Sequence, residues 1–218
     1  MFPDLLRDDA FRLETSRLWL RWPRIADAVA IAKLAGSKAV SQYTERLPHP
    51  YTDGDAEAFI LACRKENTIG RDFGLALTRK GKPSEVIGMI GAHARIRDEI
   101  ALGFWLGEPF WGQGFMGEAL DEMVALVFSV TCPEALTAMV RTENVRSRNL
   151  LASRGFELAE DRLVNMLLRG GIFPCVKLRL GREDWQRLEQ DRFRRMARPP
   201  QPREGRNDRG NAELKLSA

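Results

Sequence analysis

The sequence predicts one mixed α/β domain of the α+β kind, and three observations carry that expectation. Short segments that alternate apolar and polar residues are interleaved with longer segments of helical period, so strands and helices share the chain. Its 218 residues, 44% of them hydrophobic, suffice for one sizeable core. No internal repeat of fixed period appears, so the elements must pack around that core rather than stack one on the next.

Residues Arg17 to Trp22 alternate and read as an opening strand, which Pro23 ends. Ile25 to Ala35 and Asp55 to Cys63 carry apolar residues at helical spacing, with Pro48, Pro50 and Gly54 enforcing a loop between them. Phe73 to Thr78 and Val86 to Ala94 read as strands joined by the turn-like Lys80-Gly81-Lys82-Pro83-Ser84, and Ile100 to Leu106 as the next strand. These three are expected side by side in one sheet. From Gly117 the spacing of Leu120, Met123, Val124 and Val127 predicts a helix that stops before Pro133. A strand over Ala135 to Val140 and a helix over Val145 to Ser153 follow, with Gly155 just past the helix end. Leu163 to Leu168 and Cys175 to Leu180 read as the last strands, with Gly170-Gly171 between them, and Glu183 to Met196 as a charged helix. The domain is therefore expected over 13–182, after an N-terminal arm (1–12) and before a C-terminal helix (183–197). Residues 198–218 hold almost nothing apolar to offset the entropy of ordering, so a disordered basic tail is expected there.

The formal net charge of +4 sits wholly in residues 191–218, which hold eight basic and four acidic side chains. The rest is close to neutral, which weighs against nucleic acid as a partner. No stretch approaches the ~18 apolar residues of a membrane span, so a soluble cytoplasmic protein without a membrane partner is expected. Cys63, Cys132 and Cys175 are odd in number and far apart, which favours reduced, mostly buried thiols. His49 and His93 are the only histidines, too few for a His-rich metal site, and no metal is expected.

Chemistry concentrates in Leu102 to Leu120, a strand, a glycine-rich turn and an amphipathic helix in succession. Such a junction offers unpaired backbone N–H groups and the positive end of a helix to an anion. Gly112, Gly114 and Gly117 reproduce Gly-x-Gly-x-x-Gly. They stand mid-chain after antiparallel-looking strands, not in an early βαβ unit, which sets a dinucleotide fold aside.

The run Trp111-Gly112-Gln113-Gly114-Phe115-Met116-Gly117-Glu118-Ala119 resembles the Trp-Gly-x-Gly-(aromatic)-x-x-Glu-Ala run of the GNAT acetyltransferase superfamily, in the branch of the ribosomal-protein N-terminal acetyltransferases. Glu14-Thr15-Ser16-Arg17-Leu18, Leu47 to Thr52, Asn144-Val145-Arg146-Ser147 and Gly155-Phe156 resemble further segments of that family, in order, from about Leu13 to Leu180. The resemblance implies a mostly antiparallel, twisted sheet flanked by helices and splayed between its fourth and fifth strands. It implies acetyl-CoA as co-substrate, with the pyrophosphate on the N–H groups of Gly112, Gln113, Gly114, Phe115, Met116 and Gly117. The pantetheine arm would pair like a strand with Phe104, Trp105 and Leu106, a backbone N–H near Trp105 or Leu106 would polarise the thioester, and Asn144 would contact the cofactor or cap a helix. The chain departs from the wider pattern at Met116, where Gly or Ala is usual, and at Ala101 to Phe104, where a Glu and a Tyr are missing.

Acyl transfer to an amine needs a base for the nucleophile and a proton for the thiolate. The resemblance points to Ser147 for the proton, against a capping role at the helix start. Glu99, Glu143 and His93 are candidate bases, of which His93 reads first as a packed or surface histidine. The expected activity is transfer of an acetyl group to a primary amine of a small molecule or a peptide N-terminus. A CoA-binding module without catalysis is the alternative, and a homodimer is left open.

Overall fold

The computed structural model describes residues 2–7, 9–94 and 99–197. Among these, eight strands form one sheet: β1 (Arg12–Glu14), β2 (Leu18–Arg21), β3 (Asp72–Arg79), β4 (Lys82–Ala94), β5 (Glu99–Leu106), β6 (Ala135–Arg141), β7 (Glu157–Met166) and β8 (Gly171–Gly181), in the order β1-β2-β3-β4-β5-β6-β8-β7. Six helices flank it: α1 (Ala28–Ala35), α2 (Lys38–Ser41), α3 (Asp53–Ile69), α4 (Phe115–Val130), α5 (Val145–Ala152) and α6 (Arg182–Ala197). All neighbouring strands are antiparallel except β5 and β6, which α4 connects as a parallel crossover. The mixed, mostly antiparallel fold expected from the sequence is the one found.

Strand alternation divides the core between the two faces of the sheet. Leu75 and Leu77 of β3, Ile90 of β4 and Leu102 of β5 join Met116, Leu120, Met123 and Val127 of α4 on one face. Ala76 and Met89 join Ile31 and Ala35 of α1 and Ala56 and Ile60 of α3 on the other.

Several elements differ from the sequence expectation. The opening strand expected at 17–22 is β2, and an unexpected short strand, β1, precedes it and pairs with it across a turn at Thr15–Arg17. The expected helix at 25–35 begins as a 3-10 turn over Ile25–Asp27, because Asp27 is held by Arg21 through two 2.8 Å bonds and accepts from the Arg24 N–H at 2.7 Å. α3 runs longer than 55–63 at both ends: Thr52 and Asp55 form a reciprocal cap, and Gly70 at φ 68° closes the helix. The strand expected at 163–168 lies at 157–166, followed by a 3-10 turn over Leu167–Arg169. Its first half, Glu157 to Arg162, is largely polar and exposed. Pairing with β8 makes it a strand, a signal that apolar patterning does not carry.

Within the expected N-terminal arm, Phe2 and Leu6 are buried, and the Phe2 ring lies 5.4 Å from that of Phe73. Trp185 of α6 stacks on Phe128 at 4.8 Å. The expected tail, 198–218, lies outside the described residues. Cys175 is buried and Cys63 half-buried, but Cys132 is exposed, contrary to the pattern of buried thiols.

Candidate functional site

β5 and β6 pair only over Glu99–Ala101 with Ala135–Thr137, and beyond that point the two strands part. The Gly107 N–H donates to the Ile87 carbonyl at 2.9 Å, so Gly88 and Leu106 form a non-hydrogen-bonded pair of the β4/β5 ladder. By the alternation of strand amides, the N–H groups of Phe104 and Leu106 point away from β4 into the gap, whereas that of Trp105 points back to β4. Of the expected amides Trp105 and Leu106, that of Leu106 therefore faces the gap, as does that of Phe104, and that of Trp105 faces β4. Trp111 Nε1 takes the Leu106 carbonyl at 2.7 Å, which leaves the N–H and C=O of Phe104 facing the gap.

At the open end stands the glycine turn. Gly112 (φ 73°) and Gly114 (φ 79°) take left-handed conformations that a side chain disfavours, and Gly114 is the N-cap of α4. The first helical bond there runs from the Glu118 N–H to the Gly114 carbonyl. The six N–H groups of Gly112 to Gly117 find no acceptor among the described residues, and Gly112, Gln113 and Gly114 are exposed. Gly117 also meets a packing need: it is buried, and a Cβ there would run into the guanidinium of Arg154, so its bareness admits an arginine.

Glu118 fixes the turn to the sheet. Its Oε1 accepts from the Thr15 hydroxyl, from Ser16 Oγ at 2.9 Å and from the Arg17 N–H at 2.7 Å, and Oε2 takes Arg17 Nε at 2.7 Å. Burial alone would raise its pKa, but these donors outweigh it and hold the carboxyl down at about 2. Arg17 also donates to the Gln113 carbonyl at 2.9 Å, and Arg146 stacks on Trp111 at 4.6 Å. Three arginines thus lie around the turn: Arg17 paired with Glu118, Arg154 against Gly117 and 3.3 Å from Asp121, and Arg146 over Trp111.

Met116 is 6% exposed and packed in the core with α4's other apolar residues, so its bulk lies away from the turn's surface. Asn144 caps α5, accepting the Ser147 N–H at 3.2 Å. The Ser147 hydroxyl makes no hydrogen bond among the described residues. Because Arg146 lies on Trp111, the first turn of α5, with Ser147, flanks the open end of the gap. Glu99 sits at the closed end, paired with Lys177 at 2.6 Å, and Glu143 is exposed and held by Arg141 at 2.9 Å.

On the face of α1 and α3, the loop after α2 is tied to the end of β6 and to the 3-10 turn after β7. Its Gln42 carbonyl accepts from Arg141 at 2.7 Å, and its Thr44 and Leu47 carbonyls accept from Arg169. Further along the same loop, the charge of Arg46 reaches Asp72. Arg141 lies 4.2 Å over Phe173, and burial together with the charge of Arg141 lowers the pKa of Arg169. Sequence reading missed Arg17, Arg141, Arg146, Arg154 and Arg169. Each acts on a partner distant in the chain, and although Arg17 and Arg146 stand within segments that carry the resemblance, nothing local assigns any of the five a role.

Residues 17–157 match the model of the acetyltransferase (GNAT) domain. The chain is 27% identical over 168 residues to the N-acetyltransferase p20 of Bacillus licheniformis, covering 72% of this chain and 93% of that protein. Its fold is similar to that of the ribosomal-protein-S5-alanine acetyltransferase from Vibrio fischeri (TM-score 0.69, 18% identity, 80% of this chain and 98% of that one). It is also similar to the microcin C7 self immunity acetyltransferase MccE, solved in complex with acetyl-CoA and AMP (TM-score 0.66, 16% identity, 76% and 93%). No helix among the described residues is long and apolar enough to cross a membrane.

Proposed function

The chain belongs to the GNAT acetyltransferase family, an acyl-CoA-dependent N-acyltransferase with acetyl-CoA as co-substrate, and on that premise we propose direct transfer of the acetyl group to a primary amine of a small molecule or a peptide N-terminus. The observation that carries the reading is the continuity of two backbone surfaces: the unpaired amides of Gly112 to Gly117 lead into a strand edge at Phe104 that has lost its neighbour. A pyrophosphate fits the first, where N–H groups and the α4 dipole converge, with three arginines around the turn. An amide-bearing pantetheine arm fits the second, pairing with Phe104 as a strand would.

When bound there, acetyl-CoA supplies the activated acyl group. The N–H groups of Phe104 and Leu106 stabilise charge that develops on the thioester oxygen, a role that needs geometry and no special side chain. Ser147, its hydroxyl uncommitted, donates a proton to the departing thiolate. The acceptor enters from the face of α1 and α3, beside the loop 42–47, in a cytoplasmic setting. With Met116 in the core, the bulk that favoured a module without catalysis is absent from the phosphate turn.

Acetyl-CoA at a hundredfold excess over its dissociation constant is expected to stabilise the protein by about 2.7 kcal/mol, read as a raised melting temperature. CoA release is then measured with a panel of small amines and N-terminal peptides. No thermal shift at any concentration rejects the cofactor site. Binding with no release across the panel rejects the transfer.

A further inference from the structure

We propose that His93, oriented by Asp72, is the general base that deprotonates the acceptor amine. This rests on the reading that acetyl-CoA occupies the gap between β5 and β6. Asp72, His93, Ala101 and Thr137 form one row across β3, β4, β5 and β6, at the last pair before β5 and β6 part. His93 Nδ1 lies 2.9 Å from Asp72 Oδ2, and the other oxygen, Oδ1, accepts the Ala94 N–H at 3.2 Å. A carboxylate only accepts, so Nδ1 carries the proton and neutral His93 keeps its lone pair on Nε2.

That nitrogen leans over two glycines: a Cβ on Gly91 would sit 3.2 Å from it, and one on Gly103 would sit 3.5 Å from it. Gly103 immediately precedes Phe104, whose amide faces the gap. The lone pair therefore stands beside the thioester's place, on the face of α1 and α3 from which the acceptor comes. The charged and titratable groups that face the pair among the described residues are few. Arg46 acts on Asp72, and the Cys63 thiol near Asp72 is pushed up to about 12 by burial and by that carboxylate's charge. Glu99, two residues from Ala101, is engaged by Lys177. Burial would raise the pKa of Asp72, but the contact with His93 and the Ala94 N–H prevail and lower it, so it stays an anion beside the ring.

In the step itself, Nε2 takes a proton from the ammonium and becomes an imidazolium held by Asp72. The neutral amine forms its C–N bond as the C–S bond breaks. The second nitrogen proton replaces the one that Ser147 gives to the thiolate, and the imidazolium returns its proton to solvent.

Two histidines make a direct test simple. Nitrogen NMR of the full chain resolves both imidazoles, and His93→Gln assigns them. Neutral His93 is expected to carry its proton on Nδ1, and added acetyl-CoA is expected to move its resonances and not those of His49. In His93→Gln the acetyl-CoA Kd stays constant, kcat falls about a hundredfold with the best amine or peptide of the panel, and the acid limb of kcat/KM disappears. In Asp72→Asn the ring loses the anion that keeps its proton on Nδ1, so nitrogen NMR is expected to show the Nε2–H tautomer gaining population, which a merely structural role would not do. Saturable acetyl-CoA binding with unmoved His93 resonances overturns the assignment, as does a His93→Gln variant with wild-type rate and pH profile. No acetyl-CoA binding by the wild type is a separate failure, that of the cofactor reading, and removes this inference with it.

Discussion

The open and closed ends of the gap between β5 and β6 are built differently. At the open end, one contiguous stretch from Leu102 to Glu118 supplies backbone amides, and its side chains mainly hold the turn in place. At the closed end, Asp72, His93, Glu99 and Lys177 come from four strands and work through their side chains. The difference shows that a backbone site tolerates varied side chains as long as its glycines and anchors remain. A side-chain site depends on the register of the whole sheet.

The largest effect that would sharpen this contrast is expected at the anchor. Glu118→Gln removes a carboxylate whose pKa lies near 2 in the fold against 4.5 for the free group. At neutral pH the loss is at most about 3 kcal/mol of stability. The folded pKa is the depressed one, so this stabilisation is present above about 4.5 and fades as pH falls towards about 2. Urea unfolding of both proteins across that window should show their difference narrowing. A constant difference would mean that the charge of Glu118 is not what holds the turn.

Next comes Gly114→Asp, which places a negative charge opposite the expected pyrophosphate. Acetyl-CoA affinity should fall about a hundredfold, with the unfolding free energy changed by no more than about 1 kcal/mol. Calorimetric titration and urea unfolding separate the two. Normal binding would move the phosphate site away from the turn.

A smaller and complementary effect is expected from Arg169→Met, which releases the carbonyls of Thr44 and Leu47 on the acceptor side. The acceptor KM should rise about tenfold while the acetyl-CoA Kd holds. If the Kd moves instead, the two ends are not independent.

The smallest pair of effects distinguishes Ser147 from Asn144. Ser147→Ala should lower turnover by about tenfold and leave stability alone, because Asn144 already caps α5. Asn144→Ala should cost ~1 kcal/mol of stability with turnover per folded molecule unchanged. Circular dichroism melts and steady-state rates on both variants check this, and the reverse pattern would exchange the two roles.

Local physics made much of the molecule legible from residue order. Alternation in β3, β4 and β5, the apolar stripe of α4 and the glycines at 112 and 114 depend on neighbours within a few residues, and a sequence shows those directly. The cap of Asn144 is of the same kind. Tertiary structure alone decided the rest. The polar first half of β7 is a strand because β8 lies beside it, and Met116 avoids the turn because the core is on its side of α4. Glu118 becomes an anchor only when Thr15 to Arg17 arrive from a hundred residues away. His93 shows the division most clearly: as a letter in an alternating segment it reads as packing. The pairing of Asp72 with His93, and of Gly91 with Gly103, gives the imidazole an anion on one nitrogen and open glycine backbone under the other. Strand register sets that arrangement, and register is a property of the assembled sheet, which no single segment encodes.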